Sequence, residues 1–269
     1  MTDFFTEFDA ERWNFTYVDE TDHDIPVQQV GIVANFHLLD AYHPIRREGI
    51  AQAFSLYNEL YGDKLKGGYR EDKRMIVRPF SKMSTDDYKN YILNTSPMEA
   101  IEFMCMSRLS LQHTSDYMFG VFSPEGWFEK IHDSFTTVRI YLPTEELQGE
   151  GKDRFELFLL KCCAFLRPIH GVAGLGIQEC QNWEDYQHLE YETAWAYRGV
   201  DVCIPTGNEE WRTGYSNLNW YTFLAHHWIA TLGTPEELQA KLGDPRIVQI
   251  PYEWGTVIRA GDWPALGKA

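Results

Sequence analysis

Residues 135–177 read FTTVRIYLPTEELQGEGKDRFELFLLKCCAFLRPIHGVAGLGI, and this stretch decides the fold class. Phe135 to Leu142 alternates apolar and polar residues with the period of two that a half-buried strand needs. Phe155, Phe158, Leu159, Cys162 and Leu166 then recur at helical spacing on one face, and Pro168 stops the helix. Val172 to Ile177 follows as a glycine-rich strand. The order is strand, helix, strand.

A similar order precedes it. Val27 to Leu39 is rich in β-branched residues and predicts a strand. Pro44 opens a helix carrying Ile50, Ala53, Phe54, Tyr57 and Leu60, and Gly62 ends it. Gly67-Gly68 predicts a turn, and Met75-Ile76-Val77 a short strand before Pro79. The two units, around residues 27–78 and 135–180, suggest a duplicated arrangement, although their sequences do not align convincingly. Between them, Ser84-Thr85-Asp86-Asp87 predicts a helix start ahead of Tyr88, Tyr91 and Ile92. Ile101–Met106 and Tyr117–Phe122 predict strands.

Downstream, Thr222 to Leu232 predicts a helix stopped by Gly233. Thr234-Pro235-Glu236-Glu237 combines an N-cap, a proline at the first helical position and a capping-box glutamate, and Gly243 ends that helix. Ile247–Ile250 and Thr256–Ala260 flank Tyr252-Glu253-Trp254-Gly255 as a β-hairpin. No low-complexity linker divides the chain. The expected fold is a single α+β domain, mainly antiparallel, over residues 25–269, preceded by an acidic aromatic segment over 1–24.

That first segment holds eight acids and one base, Arg12, interleaved with Phe4, Phe5, Phe8, Trp13, Phe15 and Tyr17. So many aromatics are unusual in a disordered acidic tail, so part of it is expected to pack on the body. The whole chain of 269 residues carries −16 at pH 7. Such a charge disfavours nucleic-acid binding, which needs Lys and Arg for phosphates, and favours a basic partner. The longest apolar candidate, Phe155 to Leu166, is interrupted by Lys161 and is too short to span a membrane. Met1-Thr2-Asp3-Phe4 is acidic where a secretory signal is basic, so a cytoplasmic location is expected.

Residues for chemistry are sparse. The five cysteines form no CxxC pair and predict reduced thiols, with Cys162 and Cys163 in the core. His226 and His227 are neighbours on a helix and diverge by about 100°, so they cannot act as an i, i+4 metal pair. His113, His132 and His188 have no HxH or HxxxH companion, so neither metal nor cofactor is expected. His170 to Gly176 spaces its glycines GxxGxG without a following Gly-Lys-Ser/Thr, which favours close packing of a helix on the sheet over phosphate binding. Neither a GxSxG elbow nor a recognisable cysteine nucleophile occurs. An acidic cytosolic hydrolase using a carboxylate pair is the alternative reading, and it turns on a separation that only geometry supplies.

Three acidic-aromatic clusters fall in predicted loops: Glu125-Gly126-Trp127-Phe128-Glu129, Trp183-Glu184-Asp185-Tyr186 and Glu209-Glu210-Trp211. Aromatics are enriched at interface centres, and carboxylates steer basic partners. Trp127, Trp183 and Trp211 are the candidate anchors, with Glu125, Glu129, Glu184, Asp185, Glu209 and Glu210 as charged neighbours.

His170-Gly171-Val172-Ala173-Gly174-Leu175-Gly176, Asn219-Trp220-Tyr221-Thr222-Phe223-Leu224 and the segment Val257 to Gly267 (VIRAGDWPALG) resemble, in order and spacing, the type VI secretion immunity proteins paired with VRR-Nuc nuclease effectors. The resemblance covers roughly residues 25–267. It implies a non-enzymatic antitoxin that binds and silences a DNA-cleaving toxin, and it transfers no functional residue. The chain departs from the family in its acidic N-terminal segment, and it stops at Ala269 where members usually continue. Another DNase class therefore stays open as the partner. A nuclease cleft must attract DNA and is generally basic, so a −16 protein suits it electrostatically. Inhibition from outside the cleft is the rival mechanism, and the oligomeric state is not set by the sequence.

Overall fold

The computed structural model describes residues 3–20, 22–73, 76–180, 186–202 and 217–268. Two strands lie at its centre. β2 (Pro26–Leu38), which follows the short β1 (Tyr17–Val18), pairs antiparallel with β7 (Thr136–Leu142) in the register Asn35↔Arg139. β8 (His170–Glu179) lies on the other side of β2, with His37 opposite His170. β3 (Gly67–Arg70), β4 (Arg78–Pro79), β5 (Ile101–Met106) and β6 (Met118–Ser123) extend the sheet one way, in the order β7-β6-β5-β3-β4. β9 (Tyr221–Ala225), β10 (Ile247–Tyr252) and β11 (Gly255–Ala260) extend it the other way, in the order β8-β9-β11-β10. Every strand pair named here is antiparallel.

The period of two places the core. On β2, Val30, Ile32, Ala34, Phe36 and Leu38 enter the main core, while Val33, Asn35 and His37 stand on the opposite face. The apolar face is covered chiefly by α2 (Pro44–Tyr61) and α5 (Gly151–Leu166). α2 buries Ile50, Ala53, Phe54 and Tyr57, and α5 buries Phe155, Phe158, Leu159, Cys162 and Cys163. Cys105, Cys162 and Cys163 are free and buried, Cys180 is buried, and Cys203 lies outside the described residues.

The expected duplication holds only for the first strand and helix of each half. β2 leads into α2 and β7 into α5, with the two strands side by side. Beyond the helices the halves diverge. α2 leads to β3 near the far edge, whereas α5 leads to β8 beside β2.

The acidic segment packs on the body as expected. α1 (Phe4–Glu11) buries Phe4 and Phe8, and Phe15 is fully enclosed. Phe4 stacks on Trp263 at 5.9 Å, and Glu11 accepts hydrogen bonds from Tyr197 at 2.8 Å and from Lys268.

Several expectations need correction. Gly67-Gly68 is not a turn but the start of β3, where bare backbone lets Tyr88 and the Arg108 carbonyl approach. The short strand before Pro79 is Arg78–Pro79 rather than 75–77, and Met75 lies outside the described residues. α3 (Lys82–Asn94) starts earlier than Ser84, because Ser81 is the cap and Ser84 closes the capping box. Thr222–Leu232 is not one helix. Tyr221 and Phe223 face the core between β8 and β11, with Phe223 stacked 4.8 Å from Phe36, and the chain turns at Ala225 into α7 (His226–Leu232). Strand pairing on both sides overrides a run that also fits helical spacing. The glycines of β8 admit neighbouring strands and the 219–220 turn rather than a helix: a Cβ at Gly171 would lie 2.3 Å from the Asn35 carbonyl oxygen.

The C-terminal punctuation reads as expected. α8 (Pro235–Leu242) has a capping box in which Glu237 N–H donates to Thr234 Oγ1 at 3.2 Å and Thr234 N–H donates to Glu237 Oε2 at 2.8 Å. Gly243 takes the left-handed C-cap at φ 66°. β10 and β11 form the hairpin across Glu253-Trp254.

Candidate functional site

The sheet face away from α2 and α5 carries a buried polar centre. Arg139 Nε donates to Asn35 Oδ1 at 3.3 Å, and Asn35 Nδ2 donates to Asp201 Oδ2 at 3.3 Å. Asn217 also donates to Asp201. Burial pushes the Asp201 carboxyl up to about 7, against the pull of Arg139 and the two asparagines. His37 and His170 sit 4.7 Å apart, and His37 Nδ1 lies 3.2 Å from Thr137 Oγ1. Burial, with His170 and Arg139 beside it, holds His37 well below its ordinary value. A cavity of about 310 Å³ opens here, lined by Asn35, His37, Arg198, Asp201, Asn217 and Asn219 among others.

Glu179 at the end of β8 meets Glu190 on α6 (Gln187–Ala196). Burial raises both carboxyls, and the neighbouring Glu190 charge raises Glu179 further. Gln28, opposite Glu179 in the sheet, donates to Thr193 one turn further along α6. Gln28 Oε1, Glu179 Oε1 and Glu190 Oε1 are buried with no donor in reach. Among the described residues, no cluster of three or more His, Cys, Asp or Glu side chains could hold a metal ion. The centre ties α6 and residues 197–202 to the sheet.

The sequence-selected anchors divide. Residues 125–129 are not a loop: α4 (Gly126–Ile131) begins directly after Glu125. Gly126 N–H donates to the Pro97 carbonyl at 2.9 Å, and a Cβ on Gly126 would lie 2.7 Å from the Tyr42 ring. Glu129 is buried and accepts the Asp40 N–H at 2.6 Å, where Asp40 holds φ 55°. Glu129 therefore anchors α4 to the body instead of facing a partner. Trp127, Phe128 and Ile131 are exposed, and Met98, which lines a cleft with Glu125, is 65% exposed. Trp183, Glu184, Asp185, Glu209, Glu210 and Trp211 lie outside the described residues.

Glu125 lines a broad cleft of about 1000 Å³ beside α4. Arg70, Glu71, Asp72, Lys73, Asp87 and Glu99 share its walls, so five carboxylates face two cations. Arg70 forks onto Asp72 at 2.5 and 2.8 Å, donates to the Asp87 carbonyl at 3.2 Å and lies 4.2 Å over the Tyr91 ring. Its charge is thus used inside the wall. Sequence reasoning reached Glu125 and Trp127 but missed the cleft, because Glu71, Asp87 and Glu99 are scattered along the chain. Tyr191 and Trp195 on α6 form a second exposed aromatic pair, stacked at 6.0 Å. Their i, i+4 spacing on one helix was the available signal.

Residues 49–269 match the model of the family TsiV, described as type VI immunity for VRR-NUC. A solved structure of the Pseudomonas aeruginosa T6SS protein PA0821 is similar, with a TM-score of 0.83 over 98% of this chain and 77% of that one. At 18% identity that likeness concerns the fold. A search of the curated proteins finds no match.

Proposed function

The chain belongs to the TsiV family of type VI immunity proteins for VRR-NUC, and from that premise we propose that it binds a VRR-Nuc nuclease effector and neutralises it by covering its basic DNA-binding cleft. The family match over residues 49–269 is the observation that carries this reading. The net charge of −16 supplies the physics. A surface that attracts DNA phosphates also attracts carboxylates, and long-range attraction raises the association rate. In this reading the protein is a binder rather than a catalyst, and the buried polar centre serves the scaffold. It acts in the cytoplasm, where the effector would meet DNA. Among the described residues no helix is long and apolar enough to cross a membrane.

The test is inhibition of plasmid cleavage by a purified VRR-Nuc effector from the same genome. A stoichiometric amount of this protein should abolish cleavage. Its association rate should fall steeply as salt is raised, because the Debye length shrinks from about 10 Å at 0.1 M to about 3 Å at 1 M. Unimpaired cleavage at tenfold excess would refute the reading. Inhibition with a salt-independent rate would remove the electrostatic argument.

A further inference from the structure

We infer that the nuclease docks on the α4 ridge and the adjoining cleft, with Trp127, Ile131 and Met98 forming the apolar contact and the cleft carboxylates receiving Lys and Arg side chains that otherwise hold DNA phosphate. This assignment rests on the function proposed above.

The ridge has the composition of an interface centre. Trp127 and Ile131 stand one helical turn apart and are 43% and 68% exposed. Gly126 N–H donates to the Pro97 carbonyl, and the next residue, Met98, is 65% exposed and lines the adjoining cleft with Glu125. Isolated exposed apolar side chains are ordinary, but a cluster with tryptophan at its middle on a short helix marks a contact site. The ridge is also held in place before any partner arrives. Glu129 bonds the Asp40 N–H, Gly126 packs on Tyr42, and the Lys130 ammonium lies 4.9 Å over the Tyr42 ring. A rigid apolar anchor binds with little loss of conformational entropy.

The charge identifies the partner. Arg70 is spent on Asp72 and Tyr91, which leaves Glu71, Asp87, Glu99 and Glu125 facing outward against Lys73. A basic surface gains there and an acidic one is repelled. The cleft of about 1000 Å³ is wide enough to take several side chains of a protein surface. The other exposed aromatic pair, Tyr191 with Trp195, serves as the internal comparison.

The experiment measures binding of this protein to a VRR-Nuc effector from the same genome by surface plasmon resonance, at low and high salt. Trp127→Ala should speed dissociation about 30-fold, the size of an interface hot spot. The cleft pair Glu71→Lys with Glu125→Lys should slow association about tenfold at low salt and much less at high salt. Trp195→Ala should stay within about twofold of wild type, the range of residues outside a hot spot. Thermal melts confirm that each variant folds, and the charge-reversal pair carries the test if Trp127→Ala does not. If wild type binds and both α4 and cleft variants bind equally well, the surface is wrong while the immunity reading stands. A loss confined to Trp195→Ala likewise overturns this surface and moves the contact to α6. If wild type fails to bind, the proposed function falls and this surface falls with it.

Discussion

Gly49→Val is expected to destabilise the protein by about 3 kcal/mol, the upper part of the range for overpacked interiors. Gly49 lies in α2 where it crosses the end of α5. A Cβ there would sit 2.2 Å from the Phe165 carbonyl oxygen and 3.0 Å from its carbon. Both atoms are backbone, so no side-chain rotation relieves the clash and one helix must move. Moving α2 opens the layer in which Tyr57 and Tyr61 pack on Phe158, with ring centroids 6.4 and 6.2 Å apart. The better helix propensity of any residue over glycine returns at most about 1 kcal/mol. At this chain length the loss lowers the melting temperature by roughly 6–12 °C. Gln52→Ala, on the exposed side of the same helix, should change stability by less than about 0.5 kcal/mol. Urea melts of both variants give the answer. A Gly49→Val protein as stable as wild type would mean that the two helices do not cross as described.

The second large effect is a loss of stability as pH rises from about 6.5 to about 8. Glu179, Glu190 and Asp201 all have folded-state carboxyls raised above the ordinary range, with burial as the first cause. In the unfolded chain they release their protons near pH 4, so the folded state binds the extra protons. Their contribution is therefore complete below about pH 4 and is lost as pH climbs through the folded values, about 7 for Asp201. The structural cause is visible at the pair. Glu179 Oε1 and Glu190 Oε1 have no donor in reach, so ionising both would bury repelling charges whose nearest cation is Arg139. His37, held low by burial, acts in the opposite sense, but its effect lies mainly below 6.5. The buried thiols and phenols act only above the chosen window. Across the window the net loss is about 2 kcal/mol, taking 1.36 kcal/mol per unit of proton linkage. Denaturant midpoints at several pH values measure it, and Glu179→Gln should flatten the slope. A stability that is constant or rises with pH would show that the carboxyls are not buried together.

Much of this architecture was legible in the sequence, for identifiable reasons. The central strands and the two helices over them carry long periodic patterns. The helix at 235–242 announces itself at both ends, through Thr234-Pro235 and Gly243. The failures share another cause. The run from Thr222 to Leu232 fits helical spacing, yet its first four residues are claimed by strands on either side. Gly67-Gly68 reads as a turn until a tyrosine hydroxyl from α3 is seen against the strand. In both, long-range packing overrides local pattern.

The same division holds for the candidate site. Glu125 and Trp127 stood out because they are neighbours in sequence, and both reach the surface beside the cleft. Glu129 looked equivalent, but helix geometry turns it inward to the Asp40 N–H. Glu71, Asp87 and Glu99 gave no local signal, since only the fold assembles them. The buried carboxyl pair was equally hidden, with Glu179 on a strand and Glu190 on a helix.

If this protein silences a nuclease by occupying the place where DNA binds, the two must compete, and a competition measurement tests that most directly. A VRR-Nuc effector is loaded with a fluorescent DNA duplex under conditions in which nothing is cleaved, and the immunity protein is titrated in while anisotropy is followed. Occupation of the DNA site predicts that the duplex is released in step with formation of a protein–protein complex. A stable ternary complex, with DNA still bound and the immunity protein attached, would contradict it.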